Sequence, residues 1–178
     1  QQTAKILYTI YIGMTLFQII LLLIGRIPLF DTLCISFGTA GTGGFGIVND
    51  SMGSYSTYCQ VVTTIFMILF GVNFSAYYLL LTKKFVQAFK FEEVRYYFGI
   101  ILAAILVIGL NTAHLFRNLG EAFQQAAFQV GSIITTTGFS STDFSQWPSL
   151  SKTILVLLMF VGACAGSTGG GIKVSRIL

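Results

Sequence analysis

The sequence predicts an all-α integral membrane protein of two tandem units, each a spanning helix, a re-entrant pore helix with an irregular segment, and a second spanning helix. Of its 178 residues, 54% are hydrophobic and only 9% are charged, and the mean hydropathy is +0.81. A soluble domain carries about 25% charged residues. Long uncharged runs and an internal repeat support the same fold class, so a soluble monomer is excluded.

Four uncharged stretches approach the roughly 20 residues that a helix needs to cross the hydrocarbon core. We expect spanning helices at residues 6–25, 61–82, 96–114 and 153–172. If these spans alternate in direction, most of the Lys and Arg residues fall on one side of the membrane. The positive-inside rule then places the short loop 83–95 in the cytoplasm. We expect membrane lipid to contact the apolar faces of the spans.

A motif recurs 94 residues along the chain, where GTGGFG at residues 41–46 aligns with TTTGFS at residues 135–140. Each copy lies between two predicted spans, so we expect one unit at residues 1–85 and a second at residues 86–178. Because each unit crosses the membrane twice, both enter it from the same side. Two such units can be related by rotation about one axis along the membrane normal.

A short helix is expected before each copy of the motif. Pro28 suits the first helical turn, and Asn118 with Glu121 three residues later resembles a capping box. We expect these helices at residues 29–37 and 119–132, running inward from the outer face. Their C-terminal carbonyls would aim the negative ends of the helix dipoles at the membrane centre, where they attract cations.

The motif copies themselves are expected to be extended and irregular, which at membrane depth requires burial in protein or a water-filled cavity. Glycine lets successive carbonyls turn to one side, and rings of such oxygens can replace the hydration shell of an ion. Neither copy contains a carboxylate, which favours a monovalent ion over Ca²⁺ or Mg²⁺. Asp50 and Asp143 come later, near the outer mouth, where they would concentrate cations.

Other residue types indicate neither catalysis nor a resident metal. Cys34, Cys59 and Cys164 are far apart in apolar runs and are expected to pack as small hydrophobes. His114 has no nearby carboxylate or second histidine with which to ligate a metal. No histidine or cysteine lies beside a nucleophile, and no clustered basic face suits nucleic acid. We therefore expect no enzyme, no covalent cofactor and no nucleic-acid partner.

Four motifs resemble those of a known family: GTAGTGGFG at residues 38–46, GVNF at 71–74, ITTTGFSSTDF at 134–144 and GACAGSTGGGIKVSR at 162–176. The chain resembles the membrane subunit of the Trk/Ktr/HKT superfamily of potassium uptake proteins, most closely the bacterial TrkH type. That family has four helix-pore-helix units around a central pore, as in potassium-channel-like pores, with a filter glycine in each. The resemblance implies a K⁺ site at backbone oxygens of Thr42, Gly43, Gly44, Thr136, Thr137 and Gly138, flanked by Gly41, Phe45, Thr135 and Phe139.

The resemblance sets further expectations. The two units look like the family's second and third, so we expect the first and fourth units of the same protein to lie outside this sequence. It also implies a homodimer of the full-length protein, a cytoplasmic nucleotide-binding regulatory subunit of the TrkA kind, and a bacterial inner membrane. The basic loop 83–95 faces that regulatory side, although it suits anionic lipid equally well.

The fourth predicted span contains a glycine-rich run. Gly162, Gly166 and Gly170 have the spacing of a helix-packing seam, but three consecutive glycines disfavour a continuous helix. We therefore expect a break there. The resemblance implies an intramembrane loop below the filter that obstructs the pore and moves in gating, formed by Ala165, Gly166, Ser167, Thr168, Gly169, Gly170 and Gly171. Ile172 occupies the lysine position of a phosphate loop, so nucleotide binding is excluded there.

The leading interpretation is K⁺ uptake through a backbone-carbonyl filter, gated at the glycine-rich loop (residues 165–171). One alternative is a secondary carrier with two re-entrant hairpins for another solute, which requires helix N-termini at the site. Another is a membrane scaffold whose glycines only pack helices. Channel-like flux and coupling to H⁺ or Na⁺ both stay open.

Overall fold

The computed structural model describes all 178 residues as helices joined by turns and irregular segments, with two isolated β-bridges. The all-α fold class is as predicted. The helices in chain order are α1 (Gln2–Ile24), α2 (Leu29–Ala40), α3 (Thr57–Phe70), α4 (Phe74–Leu81), α5 (Phe85–Phe89), α6 (Glu92–Asn111), α7 (Leu119–Ile134) and α8 (Ser149–Phe160). Single 3-10 turns lie at Ala113–Leu115, Phe144–Gln146 and Val174–Arg176.

The helices α1 and α6 are long and apolar enough to cross a membrane by themselves. They match the first and third predicted spans. Large apolar side chains remain exposed along both, such as Ile20 on α1 and Leu102 on α6, which are 54% and 60% exposed. Hydrocarbon is the solvent in which such faces are stable.

The second predicted span, residues 61–82, is wrong as one continuous helix. It consists of α3 and α4, which are bent by 92° at a break over residues 71–73. The side chain of Asn73 accepts a hydrogen bond of 2.9 Å from the backbone N–H of Ser75, which caps the restarted helix α4. Gly71 lies so close to the Tyr97 hydroxyl and the Thr135 methyl group that a side chain would overlap both.

The fourth predicted span, residues 153–172, is helical only as far as Phe160, where α8 ends. The expected break therefore begins several residues before the glycine-rich loop. The backbone N–H of Gly162 donates to the Ile172 carbonyl at 2.7 Å, and Val161 and Ile172 form a parallel β-bridge. These pairs between two stretches of the same chain replace the helical hydrogen bonds, so the helix ends before Val161.

The two short helices α2 and α7 begin where the sequence predicts and run slightly longer. Each ends directly before one copy of the repeated motif. Pro28 and Asn118 are the N-cap residues, but the Asn118 side chain makes no capping hydrogen bond. The predicted capping box with Glu121 is therefore not formed.

Two hydrophobic clusters organise the interior. One lies mainly among α1, α2 and α3, and the other mainly among α6, α7 and α8. Phe128 of α7 and Phe139 just after it belong to the first cluster although they come from the second half of the chain. Because α7 thereby packs against both halves, the two copies of the repeated motif are brought side by side.

Replacing Gly71 with alanine tests the close packing at the break between α3 and α4. The added methyl group would overlap the Tyr97 hydroxyl, which donates a 2.9 Å hydrogen bond to the Ile68 carbonyl. We expect Gly71→Ala to lower the stability of the full-length protein by about 1–3 kcal/mol, the usual cost of overpacking.

The measurement is thermal unfolding of the detergent-solubilised protein. Gly99→Ala is the matched control, because Gly99 lies within α6 and nothing stands within 4 Å of its added methyl group. Helix propensity makes that change neutral or stabilising by up to about 1 kcal/mol. Equal melting temperatures for the two variants would contradict the proposed packing.

Candidate functional site

The first Thr-Gly segment (residues 41–45) and the second Thr-Gly segment (residues 135–139) have the same unusual backbone. Thr42 and Gly44 have φ values of 53° and 66°, and their counterparts Thr136 and Gly138 have values of 59° and 89°. Left-handed φ is routine for glycine but strained for a β-branched threonine. The two segments therefore hold equivalent strain at equivalent positions, which is typical of a functional site.

The backbone N–H groups of both segments donate back to the short helix that precedes them. All acceptors in the second unit are the counterparts, 94 residues later, of those in the first. In the first unit the bonds are Gly41 to Phe37, Thr42 to Thr39, and Gly43 and Gly44 to Gly38; in the second they are Thr135 to Gly131, Thr136 to Ile133, and Thr137 and Gly138 to Ser132.

These bonds fix where the carbonyl oxygens point. In a planar trans peptide, the carbonyl of one residue is directed opposite to the N–H of the next. Because the N–H groups of Gly43 and Gly44 face α2, the carbonyls of Thr42 and Gly43 face away from it, and Thr136 and Thr137 behave likewise beside α7. No hydrogen bond within the chain reaches the carbonyls of the six predicted site residues, Thr42, Gly43, Gly44, Thr136, Thr137 and Gly138.

The structure brings the two segments into direct contact. The open side of the Gly44 α-carbon faces the carbonyl of Thr137, so closely that no side chain fits between them. Farther out, Phe139 is 1% exposed and its ring lies against Gly38 of α2. The predicted residues from the two units are thus neighbours, and helix C-termini adjoin both segments.

A buried amide network supports the loops that follow both segments. The Gln60 side chain of α3 is 5% exposed, donates to the Met52 carbonyl at 2.9 Å and accepts from Gln124 and Gln125 of α7 at 2.9 and 3.2 Å. Gln125 in turn accepts a hydrogen bond from the Ser141 hydroxyl. Because buried polar groups of this kind are costly to leave unpaired, the network fixes α3, α7 and the outer loops relative to one another.

The predicted aspartates lie on one polar cleft of about 440 Å³, which is lined by residues 49–51, 53 and 140–143. Hydrogen bonds from the side chain and backbone of Ser145 hold the pKa of the exposed Asp143 below its usual range. Its carboxylate therefore keeps its negative charge at neutral pH.

The glycine-rich loop contacts both left-handed threonines. The Thr42 hydroxyl donates to the Thr168 carbonyl at 3.3 Å, and the backbone N–H of Gly170 donates to the Thr136 hydroxyl at 2.7 Å. The loop thus meets the same residue position in each unit. Two residues beyond the loop, the Lys173 ammonium donates back to the Gly169 carbonyl.

The loop also satisfies the broken helix end between α3 and α4. The backbone N–H groups of Thr168 in the loop and of Cys164 just before it donate to the carbonyls of Phe70 and Gly71 at 3.4 and 3.1 Å. In return, the N–H of Phe74 donates to the Gly166 carbonyl at 3.2 Å. Orphan groups at a helix end need such partners, so the break and the loop stabilise each other.

Several of these contacting residues were missed in the sequence. Gln60 stands just before an apolar run, and Glu93, which contacts the first residue of the loop and Ser175 beyond it, lies in the first turn of α6. A polar residue at the edge of an apolar run is a weak signal, because most such residues only face headgroups or water. Thr42 and Thr136 are each more than thirty residues along the chain from the loop residue that they contact. Such contacts leave no local pattern in the sequence.

The fold and the paired segments define an all-α membrane protein with re-entrant helix-pore-helix units. The family model TrkH, a cation transport protein family, matches residues 1–115 and 99–178. The chain therefore belongs to the TrkH family.

Named relatives agree with this assignment. The Trk system potassium uptake protein TrkH of Vibrio parahaemolyticus is 34% identical over 99% of this chain and 38% of its own length. TrkG of Escherichia coli, also a Trk system potassium uptake protein, is 30% identical over 99% of this chain and 37% of its own length. This chain thus spans less than two fifths of these relatives.

A solved structure shows the same fold. The crystal structure of the potassium transporter TrkH from Vibrio parahaemolyticus matches with a TM-score of 0.91 at 35% sequence identity. The match covers 99% of this chain and 39% of that one. This chain therefore shares the helical architecture of the corresponding part of that protein.

Replacing Gly44 with alanine tests the contact between the two Thr-Gly segments. Its methyl group would overlap the Thr137 carbonyl, and alanine at a φ of 66° adds about 1–2 kcal/mol of strain. We expect Gly44→Ala to lower the thermal stability of the full-length protein clearly.

Gly43→Ala is the matched control for stability, because its added methyl group meets its nearest neighbour at an ordinary 3.6 Å. Thermal unfolding in detergent compares the two variants. If both unfold at the wild-type temperature, the segments do not meet as described.

Proposed function

We propose that the protein to which this chain belongs takes up K⁺ across a membrane, and that this chain supplies two of the units that form its pore. The observation that carries the proposal is the set of six unpaired carbonyls on two adjoining segments. Unpaired backbone groups at membrane depth are costly unless an ion or water binds them. The relatives named as potassium uptake proteins make K⁺ the preferred ion.

The helix ends favour a cation over an anionic or organic solute. α2 and α7 both end where a Thr-Gly segment begins, so their negative dipole ends adjoin the unpaired carbonyls. The alternative carrier requires helix N-termini at this place. Asp50 and the ionised Asp143 would raise the local cation concentration at the outer cleft.

Equivalent residues of the two units differ in exposure, which supports further units around the axis. Phe139 is 1% exposed against α2, whereas its counterpart Phe45 is 86% exposed. Gly44 is closed off by Thr137, whereas nothing lies within 4 Å of a methyl group added at its counterpart Gly138. Each unit therefore offers one face to the next, which is the arrangement that closes into a ring. We propose that other units of the same protein cover Phe45 and Gly138.

The glycine-rich loop is the proposed gate. It joins Thr42 to Thr136 and is held by hydrogen bonds to these threonines, to the break between α3 and α4, and to Glu93. Movement of the loop would change both threonines together. A cytoplasmic nucleotide-binding regulatory subunit, a homodimer of the full protein and a bacterial inner membrane complete the proposal.

The overall proposal is tested by potassium-limited growth. The full-length gene should restore growth of a bacterial strain that lacks its own K⁺ uptake systems, whereas a transport-inactive variant should not. No rescue by a protein that reaches the membrane would contradict K⁺ uptake.

The filter assignment predicts that Gly138→Ser weakens ion discrimination. A side chain fits at this position but strains the φ of 89°, which turns the neighbouring carbonyls. Because displaced carbonyls no longer match the hydration shell of the larger ion, we expect the Rb⁺/Na⁺ uptake ratio of the full-length protein to fall clearly.

The control for Gly138→Ser is Gly120→Ser, which places the same side chain in open space at ordinary φ near the start of α7. Its uptake ratio should equal that of the wild type. An unchanged ratio in Gly138→Ser would refute the filter assignment.

The gate assignment predicts that deletion of residues 169–171 raises basal flux. The deletion removes the Gly170 N–H that binds Thr136 and the Gly169 carbonyl that binds Lys173. We expect a severalfold rise in ⁸⁶Rb⁺ flux into proteoliposomes with an unchanged Rb⁺/Na⁺ ratio. Flux at the wild-type level would exclude the loop as an obstruction.

A further inference from the structure

We infer that Glu93 is a positioning residue that latches the glycine-rich loop in its obstructing place. This inference rests on the proposed gating role of the loop. Glu93 stands in the first turn of α6 and is half-buried. Its Oε1 atom accepts a hydrogen bond of 2.5 Å from the N–H of Ala165 and another of 3.3 Å from the N–H of Ser175.

The two donors lie on opposite sides of the loop. Ala165 is its first residue, and Ser175 follows its last residue by four. One carboxylate oxygen therefore ties the entry of the loop to its exit. The neck between them is also closed by backbone bonds from Gly162 to Ile172 at 2.7 Å and from Val174 to Ala163 at 3.3 Å. Glu93 is the charged group of another helix that binds Ala165 and Ser175.

The next turn of α6 holds the broken helix to which the loop is docked. Tyr97 is fully buried four residues after Glu93, so both side chains lie on one face of α6. Its hydroxyl donates to the Ile68 carbonyl at 2.9 Å, beside the break that accepts the loop's N–H groups. A shift of the start of α6 would thus move the loop and its docking place together.

The start of α6 is reached directly from the proposed cytoplasmic loop. α5 ends at Phe89, and α6 begins at Glu92, so a short connection joins the basic residues 83–90 to the latch. A movement of this connection would displace Glu93, which lies in the first turn of α6. The latch therefore offers a route from the cytoplasmic face to the gate.

If Glu93 only stabilised the start of α6, replacing Glu92 should have the same effect as replacing Glu93. A carboxylate in the first turn stabilises a helix through its dipole, and Glu92 meets that condition equally. Glu92 is exposed and makes no hydrogen bond with the loop. Glu92→Ala is therefore the matched control, since it removes the same charge from the same turn and leaves the latch intact.

The test measures ⁸⁶Rb⁺ flux of the full-length protein in proteoliposomes. Glu93→Ala should raise basal flux by roughly tenfold, because losing a hydrogen bond to a charged group shifts an equilibrium by about that factor. Glu93→Gln should give a smaller rise, because its amide oxygen can still accept both N–H groups. Glu92→Ala should match the wild type, and the Rb⁺/Na⁺ ratio should stay constant throughout.

A second readout follows the loop itself. Cys164 adjoins the loop and is 0% exposed, so its reaction with a small maleimide should increase in Glu93→Ala but not in Glu92→Ala. For this measurement every other cysteine of the full-length protein, Cys34 and Cys59 among them, is replaced by serine. If Glu93→Ala fails to assemble, Glu93→Asp takes its place, since the shorter side chain withdraws the oxygen while keeping the charge.

The outcomes distinguish the proposed role of Glu93 from the proposed gating role of the glycine-rich loop. Wild-type flux and labelling in Glu93→Ala or Glu93→Asp, together with raised flux in the protein lacking residues 169–171, would overturn the latch alone. Wild-type flux in the deletion protein would overturn the gate, and Cys164 labelling would then still decide whether Glu93 holds the loop. Equal effects of Glu92→Ala and Glu93→Ala would reduce Glu93 to a helix-dipole role.

Discussion

The two Thr-Gly segments are irregular backbone at membrane depth, and every peptide group there needs a partner. The N–H groups find theirs in the short helix just before each segment. Planarity of the peptide bond then directs the intervening carbonyls away from that helix, where the chain provides no donor. The same bonds occur in both units, so the same local arrangement produces two matching sets of oxygens. These are the oxygens that we propose replace the hydration shell of K⁺.

The strained threonines connect these oxygens to the rest of the molecule. Thr42 and Thr136 adopt left-handed φ values that a β-branched residue rarely tolerates, and each shares a hydrogen bond with the glycine-rich loop. The loop in turn completes the open helix end after Phe70. The Thr-Gly segments, the glycine-rich loop and the break after Phe70 therefore supply hydrogen-bond partners to one another. A displacement of one of them breaks hydrogen bonds of the others.

Much of the architecture follows from composition and periodicity. Apolar length identifies the spans of α1 and α6, and the repeated Gly/Thr motif locates the end of each short helix within a few residues. The break at Gly71 and the early end of α8 at Phe160 were not predicted. Hydropathy cannot show such breaks, because the residues around them are as apolar as those of an intact span, and the partners that replace the helical hydrogen bonds come from distant parts of the chain.

The sequence by itself determined the solvent and the repeated Gly/Thr motif, because hydrophobicity and a local residue pattern do not depend on the fold. It also predicted the residues whose carbonyls are proposed to face an ion. Only the tertiary structure decided which residues meet: Gly44 with Thr137, Phe139 with Gly38, and Glu93 with both flanks of the glycine-rich loop. Those contacts depend on how α7 packs against α3 and α6. Packing of that kind joins residues far apart in the chain and leaves no periodic trace in the sequence.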